Sequence, residues 1–308
     1  MTTRDNGGQD MWCARSPRRA RMLVCAALAA SLLAAACSDD EPAAGSRRTP
    51  APAASPSASA PSPSPSVAPV THAFRLWLAH GEFVGLTVRR ALVVPPQFGT
   101  GAVTELLKGP TQLETASGFA TAIPAGSTLL GLSVEDGVAT ADLSEAFESG
   151  GGSLSARLRL AQLVYTLTEF PTVQAVELKI EGQPATTFSS EGIVIDSPLT
   201  RDDFEDVVAP IVVETPEAGQ TVTSPVTVSG TANVFEANVS MRILGPDNEV
   251  IAETFATATC GSGCRGTYRK NIPFQVVELT DGVIEVFESS AEDGSPLHVV
   301  RVPVVLSP

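Results

Sequence analysis

Hydrophobic residues follow four different patterns along this 308-residue chain. An uncharged run occupies residues 22–36, and the next 34 residues contain almost no large apolar side chain. Helical and strand periodicities follow as far as about residue 198, and from about residue 211 only short β-rich segments remain. These patterns divide the chain into a leader (1–36), a linker (37–70), a mixed domain (71–198), a connector (199–210) and an all-β domain (211–308).

The mixed domain is predicted to contain two helices and several strands. Residues 72–80 alternate apolar and other side chains, which indicates a strand, and 173–183 do the same. A helix is predicted over 101–110, where Gly109-Pro110 stops it, and a second over 153–171, which ends at Pro171. The second helix carries one apolar stripe, made of Leu160, Leu163, Val164 and Leu167.

Residues 126–147 are predicted to form a β-hairpin, because Asp136-Gly137 favours a type I′ turn. That turn places apolar residues opposite one another, and the predicted pairs are Val134 with Ala139, Leu132 with Ala141, and Leu130 with Leu143. The opposite face of the hairpin is polar and carries Ser133, Thr140 and Asp142.

The region after residue 211 has no helical stripe, and turn residues separate its short segments. We predict about seven strands, namely IVVETP, TVTSPVTVSGTA, VSMRIL, EVIAETFATAT, GTYRKNIPF, GVIEVFES and VVRVPVVLS. This number of strands in roughly 100 residues is typical of an immunoglobulin-like sandwich. The predicted fold class is therefore α+β: a small αβ domain followed by an all-β sandwich.

The leader has the features of a secretory signal peptide. Its basic residues precede the 15-residue apolar run, which is shorter than the roughly 20 residues of a membrane-spanning helix. Cys37 directly follows small residues and resembles the cysteine of a bacterial lipobox, although Ala34 replaces the usual leucine. We expect palmitate-type acylation at Cys37 and lipid anchoring at the outer face of the cytoplasmic membrane. The alternative is an ordinary secretory signal in which Cys37 is incidental.

The linker is rich in proline, alanine and serine, so it cannot bury a core and is predicted to be disordered or extended. At ~3.1 Å per residue in polyproline II, it could reach roughly 100 Å. Without residues 1–36 the chain keeps 15 basic and 32 acidic residues, a net charge of −17. Such a surface repels nucleic acid, so no nucleic-acid partner is expected.

The pair Cys260 and Cys264, in the sequence CGSGC, is predicted to form a disulfide, because these are the cysteines left after the leader and Cys37. Gly261 and Gly263 would allow the tight turn that the bond needs. A redox or metal pair is the alternative, but a metal site usually needs two more ligands.

Several segments resemble known families. LLKGP, AIPAGSTLLGLSVEDGVATADLS and LAQLVYTLTEFPTVQAVELKIEGQ are similar to the GerMN domain of sporulation, germination and actinobacterial envelope lipoproteins. PIVVETPEAGQTVTSPVTVSGTANVFEANVSMRIL, CGSGCRGTY and FESSAEDGS resemble the immunoglobulin-like domain that accompanies GerMN. The resemblance implies a compact αβ fold, extracytoplasmic placement at the membrane and no known enzymatic activity. We do not carry over a role in germination.

No catalytic motif is present: GxSxG, HExxH and EF-hand sequences are all missing. The three histidines, His72, His80 and His298, are expected to be edge or surface residues rather than bases. The chain is therefore predicted not to be an enzyme and to need no cofactor or metal.

Three further features have two interpretations each. The acidic residues at 202–206 fit a short helix capped by Thr200, with Asp203 in the capping box, or a calcium site. Asp142 could cap the turn that follows it or contact a partner, and we favour the cap. Phe235 could anchor a partner if exposed, although a core position is the more common outcome.

The functional hypothesis is a non-enzymatic, membrane-anchored envelope lipoprotein that acts as an interaction or scaffold module. Its partners would be envelope proteins or cell-wall polymer, and the sheet edges of the sandwich could dock them by strand addition. The alternative is capture of a small ligand or a wall glycan. Sugars stack on aromatic rings, so this alternative needs a concave pocket that joins two of Trp77, Tyr165 and Tyr268.

Overall fold

The computed structural model describes residues 67–308. The predicted leader, Cys37 and almost all of the predicted linker lie outside these residues. None of the helices between residues 67 and 308 is long and apolar enough to cross a membrane.

The N-terminal domain combines a long hairpin, a small sheet and three helices. In chain order its elements are β1 (Val70–His80), β2 (Phe83–Val93), α1 (Phe98–Leu107), α2 (Gln112–Ala116), β3 (Leu129–Glu135), β4 (Val138–Leu143), α3 (Ser153–Leu167), β5 (Ala175–Ile180), β6 (Gln183–Pro184), β7 (Thr187–Phe188) and β8 (Ile193–Val194). β1 and β2 form one antiparallel pair, β3–β6 form a four-stranded sheet in sequence order, and β7 pairs with β8. The two predicted helices and the two predicted strands are present, but the helices begin or end elsewhere than predicted: Phe98–Leu107 replaces 101–110, and Ser153–Leu167 ends before Pro171.

The sequence analysis missed β2, which pairs with β1 over its whole length, from Val70–Val93 to His80–Phe83. Residues 84–87 are buried in succession, so the alternation that marks a half-exposed strand is absent there. A strand that is covered on both faces carries little period-2 signal.

The β3–β4 hairpin confirms the predicted turn and two of the three predicted pairs. Asp136 and Gly137 have φ values of 49° and 84°, as a type I′ turn requires. The third predicted pair is wrong, because Leu129 rather than Leu130 lies opposite Leu143. The register shifts next to Leu130, and this extra residue is 51% exposed, as expected of a β-bulge on an edge strand.

α3 crosses from β4 to β5, which lie parallel to each other. Its Arg159 is buried, with only 1% of the residue exposed, and it has no carboxylate partner among residues 67–308. The guanidinium donates to three carbonyl oxygens, of Ala122 (3.0 Å), Phe147 (2.6 Å) and Gly150 (3.0 Å). Burial lowers the pKa of Arg159. The side chain therefore fastens the segments before α3 to the helix.

The C-terminal domain is a two-layer β-sandwich with its own core. Its strands are β9 (Ile211–Thr215), β10 (Thr221–Thr223), β11 (Val226–Ala232), β12 (Asn238–Leu244), β13 (Val250–Thr257), β14 (Gly266–Ile272), β15 (Thr280–Ser289) and β16 (Pro296–Ser307). One sheet has the order β10-β16-β15-β12-β13 and the other β14-β11-β9. The predicted segment TVTSPVTVSGTA supplies two strands in different sheets, because Pro225 has no N–H with which to continue the first ladder.

The connector forms a 3₁₀ helix, Arg201–Val207. The Asp203 carboxylate accepts hydrogen bonds from the backbone N–H (2.7 Å) and the hydroxyl (2.9 Å) of Thr200. The predicted capped helix is therefore confirmed. Just after it, the N–H of Ala209 donates to the carbonyl of Val84 (3.0 Å), which ties the chain entering the sandwich to β2.

Ion pairs join the two domains at several points. Arg75 lies 3.4 Å from Glu214, and Arg90 lies 2.6 Å from Glu217. Both pairs are partly exposed, so each contributes at most about 1 kcal/mol.

Glu169, just after α3, is the most heavily bonded carboxylate near this junction. It accepts from Arg201 (2.7 Å), from the Trp77 indole N–H (3.0 Å) and from Arg75. Burial by itself raises the pKa of Glu169, but the hydrogen bond from Arg201 and the charge of Arg75 outweigh it, so the pKa lies below its usual value. The ionised form is the one that holds β1, α3 and the connector together.

Replacing the buried arginine tests the account of α3. We expect Arg159→Leu to lower the free energy of unfolding by on the order of 3 kcal/mol, because three carbonyl oxygens, one of them buried, lose their donor. Arg157→Leu, two residues away on the same helix, is the control. Arg157 pairs with the exposed Asp206, so its loss should cost less than about 1 kcal/mol. Urea unfolding of both variants measures the difference, and equal costs would contradict the account.

The pH dependence of stability tests Glu169. Its lowered folded pKa contributes stability that is present above the unfolded pKa of about 4.3 and is lost as pH falls through the folded pKa. We expect Glu169→Gln to cost roughly 2 kcal/mol at neutral pH. As pH falls below that unfolded pKa, the difference in free energy of unfolding between Glu169→Gln and the native protein should shrink. Urea unfolding measured as a function of pH tests this. The exposed Glu253→Gln should show no such gap at any pH; a constant gap for Glu169→Gln would rule out this role.

Candidate interaction site at one end of the sandwich

Three loops of the sandwich meet at one end. Strand pairing places them there, because Asn238 at the start of β12 lies opposite Thr257 at the end of β13, and Ser289 at the end of β15 lies opposite Pro296 at the start of β16. β12 also pairs with β15, through Ser240 and Phe287. The loops are the tip loop (233–237), the disulfide loop (258–265) and the β15–β16 loop (290–295).

Phe235 projects from the tip loop and is 54% exposed. The preceding Val234 is buried and fills the core position, so the next side chain is turned outward. Glu236 and Ala237 have φ values of 53° and 57°, a left-handed conformation that costs a residue with a Cβ about 1–3 kcal/mol. The surrounding contacts must therefore hold this turn in place.

Hydrogen bonds from the end of β15 and from the disulfide loop supply this support. The Glu288 carboxylate, at the end of β15, accepts from the backbone N–H of Phe235 (2.9 Å). Ser262 bonds twice: its Oγ accepts from the N–H of Glu236 (3.1 Å), and its own N–H donates to the carbonyl of Val234 (2.9 Å). The backbone on both sides of Phe235 is thus fixed by residues distant in sequence.

The disulfide loop also packs directly against the tip loop. Cys260 and Cys264 are bonded, with their Cα atoms 5.7 Å apart. Between them, Gly261 lies so close to Ala237 that an added Cβ would stand 2.5 Å from the Ala237 nitrogen. Only glycine permits this approach. The covalent loop therefore acts as a buttress for the tip.

Arg265 connects the same loop to the N-terminal domain. Its Nε donates to the Glu205 carboxylate of the connector (2.6 Å), and the other Glu205 oxygen accepts from the Tyr165 hydroxyl (3.3 Å). Burial, followed by the charge of Glu205, raises the pKa of Tyr165. A continuous set of contacts thus runs from α3 through the connector to the disulfide loop.

Comparison with known families matches both parts of the chain. Residues 81–186 match the Germane family, described as sporulation and spore germination. Residues 210–295 match Gmad2, the immunoglobulin-like domain of bacterial spore germination. The chain contains a GerMN domain followed by a Gmad2 domain. No curated protein matches it.

Solved structures of GerMN domains are similar to the chain. The first GerMN domain of the sporulation protein GerM from Bacillus subtilis is 21% identical, covers 43% of this chain and 100% of its own, and has a TM-score of 0.35. The tandem GerMN domains of the same protein are 18% identical, the match covers 66% of this chain and 62% of theirs, and the TM-score is 0.37. A presumed lipoprotein from Clostridium perfringens is 16% identical, covers 46% of this chain and 93% of its own, and has a TM-score of 0.32.

Two of the three aromatic residues singled out in the sequence do meet, but inside the GerMN domain. The rings of Trp77 and Tyr165 are 4.7 Å apart, with 4% and 3% of each residue exposed, and the Arg201 guanidinium lies over both. Tyr268 is buried in the Gmad2 domain, where its hydroxyl donates to the Val212 carbonyl (3.0 Å). None of the three offers a ring face to a ligand in solution.

The histidines lie apart from one another. His72 packs against Phe98, His80 against Phe119, and His298 lies 3.6 Å from Glu288. Between residues 67 and 308, no group of three or more histidine, cysteine or acidic side chains is arranged to hold a metal ion.

Of the acidic residues singled out in the connector, Asp203, Glu205 and Asp206 are bonded within the protein. Glu205 bonds Arg265, and Asp206 pairs with Arg157, whose hydrogen bond lowers the pKa of Asp206. Asp142 accepts from the N–H of Gly182 (2.9 Å), in the turn between β5 and β6. It therefore caps a turn 40 residues away rather than the one that follows it, because parallel pairing with β5 brings that turn beside it.

Phe235 was expected to lie in the core, and that expectation is wrong. The sequence places an apolar pair, Val234-Phe235, between two strands, and either residue could fill the inward position. The polar residues Glu236 and Asn238, which follow the pair, indicate a turn. They do not determine which of the two apolar residues points outward.

Removing the disulfide tests the buttress. We expect the double change Cys260→Ser with Cys264→Ser to lower stability by about 2 kcal/mol. Amide hydrogen exchange at Phe235, Glu236 and Ser262 should accelerate, while the core amides of β15 should keep their protection relative to global unfolding. A thiol reductant should produce the same pattern in the native protein and no further change in the double variant. Unchanged exchange at Phe235 would contradict the buttress.

Proposed function

We propose that this protein is a non-enzymatic, membrane-anchored envelope lipoprotein that binds an envelope partner through the Phe235 end of its Gmad2 domain. The observation that supports the proposal is an exposed phenylalanine on a strained turn that two other loops hold in place. Aromatic residues are enriched at the centres of protein interfaces. A contact residue whose backbone is already ordered loses little further entropy on binding.

The proposed location rests on the leader. A secretory signal that ends at Cys37 would place acyl chains at that residue, and two or three chains hold a protein at a membrane far longer than one. The linker would then separate the GerMN domain from the outer face of the cytoplasmic membrane. Confinement to that surface raises the effective concentration of a partner in the same membrane, so a modest affinity is sufficient.

The sheet edges of the Gmad2 domain remain a second docking surface in this proposal. β10 and β13 are the outer strands of the five-stranded sheet, and β13 carries Phe255, which is 58% exposed. Outer strands have unpaired backbone groups to which an extended peptide can add. Germination, which names both families, is not part of the proposal.

Glycan or small-ligand capture is the weaker alternative. Two grooves within residues 67–308 measure about 290 Å³, beside His72 and Phe170, and about 270 Å³, beside Glu177 and Pro198. Neither is lined by Trp77, Tyr165 or Tyr268, whose rings are buried.

Membrane anchoring and partner binding can be tested in the same cells. Radioactive palmitate should label the native chain and leave Cys37→Ala unlabelled, and only the native chain should remain with the membranes. Full-length protein found free in the cytosol with its leader intact would exclude the proposed location.

Partner binding is tested by cross-linking in intact cells followed by affinity purification. We expect Phe235→Ser to lose at least one cross-linked partner that the native chain retains. Val277→Ser is the matched control, because Val277 is 98% exposed and lies in the β14–β15 loop at the opposite end of the sandwich. Partners lost equally in both variants, or in neither, would count against Phe235 as the anchor.

A further inference from the structure

We infer that the partner of Phe235 is a protein that receives the ring in an apolar pocket rimmed by lysine and arginine side chains. This inference rests on the proposed function and adds the chemistry of the partner to it. It also distinguishes between the two classes of partner, protein and wall polymer.

The loops around Phe235 are acidic. Glu236 is in the tip loop, Glu288 is at the end of β15, and Glu292 and Asp293 are in the β15–β16 loop. Three of these residues, Glu236, Glu292 and Asp293, are exposed. The basic groups on the same segments are Arg265 and His298.

The positive charge of Arg265 is already matched. Its Nε donates to Glu205, so the pair has no net charge, and the side chain of Arg265 is only 17% exposed. His298 lies 3.6 Å from Glu288, and any charge it carries would be offset there. The field around Phe235 is therefore set mainly by Glu236, Glu292 and Asp293, which form no ion pair within residues 67–308.

These carboxylates are close enough to act on a group that contacts Phe235. Glu288 accepts the hydrogen bond of the Phe235 N–H, so its carboxylate lies beside the tip loop. Glu292 follows four residues later, which limits its separation along the chain to about 14 Å. The Debye length is ≈ 8 Å at physiological ionic strength, so a carboxylate farther than that from the contact is largely screened, while Glu236 and Glu288, which adjoin Phe235, act at short range. The N–H of Ser295 donates to Asp293 (3.0 Å), and this bond lowers the pKa of Asp293 and favours its charged form.

An exposed ring inside a negative frame selects for one kind of surface. The ring requires an apolar pocket, and the frame requires positive charge around it. Anionic wall polymers and anionic lipid surfaces are repelled by the acidic residues around Phe235, and they have no pocket for a phenyl ring. A protein with a basic rim satisfies both requirements.

The experiment uses the full chain in its own cells, with the photo-cross-linker benzoylphenylalanine in place of Phe235. After illumination, the cross-linked material is digested and its partner segment is identified by mass spectrometry. We expect a protein segment with lysine or arginine flanking apolar residues. The cross-link yield in isolated membranes should fall several-fold as the sodium chloride concentration is raised.

Charge reversal provides the matched comparison. The double change Glu292→Lys with Asp293→Lys should lower the yield by about fivefold or more, because rim charges control association. Asp247→Lys with Glu278→Lys makes the same change in net charge on exposed residues at the opposite end, and should leave the yield unchanged. Glu292→Lys alone is the second variant: within residues 67–308 the Glu292 side chain makes no hydrogen bond, so this change preserves the loop.

The outcomes separate this inference from the proposed function. A cross-link to an acidic or neutral segment, to a polymer or to lipid overturns the basic partner and leaves Phe235 as a contact. Equal cross-link yields for the double variant at Glu292 and Asp293 and the double variant at Asp247 and Glu278 also overturn the basic partner and leave Phe235 as a contact. No specific cross-link from position 235 overturns both.

Discussion

The whole arrangement depends on one short covalent constraint, the loop closed by Cys260 and Cys264. On one side its Gly261 and Ser262 support the strained turn that carries Phe235. On the other side Arg265, the next residue after the bond, reaches the connector at Glu205. Since a single segment makes both contacts, the direction of the exposed ring is coupled to the position of the GerMN domain.

Several arginines of this protein form bonds that hold its segments together. Arg159 holds three carbonyls below α3, Arg201 covers the Trp77–Tyr165 pair, and Arg265 closes the junction. Many carboxylates, in contrast, remain on the surface of a chain whose predicted mature form carries a net charge of −17. Bonds within the fold therefore neutralise much of the positive charge, and the exterior is negative. This negative exterior restricts the surfaces that can approach the protein.

Local sequence patterns were sufficient wherever one residue type determines the backbone. Asp136-Gly137 allowed the hairpin turn to be predicted, and Thr200 with Asp203 did the same for the connector helix. The patterns failed where partners from elsewhere decide the outcome. The bulge at Leu130 shifts a register that the turn alone predicted differently, and residues 84–87 of β2 are buried in succession and show no alternation.

The sequence by itself predicted the leader and the linker, and it determined the order of the two domains and the family resemblance, because composition, periodicity and turn residues are local properties. Only the tertiary structure decided that Phe235 points outward, that Trp77 and Tyr165 form a buried pair, and that Asp142 caps a turn 40 residues away. The physical reason is that an irregular segment takes its dihedral angles from the hydrogen bonds it receives. For Phe235 those bonds come from Glu288 and Ser262, which the chain brings to the tip only after the sandwich has formed.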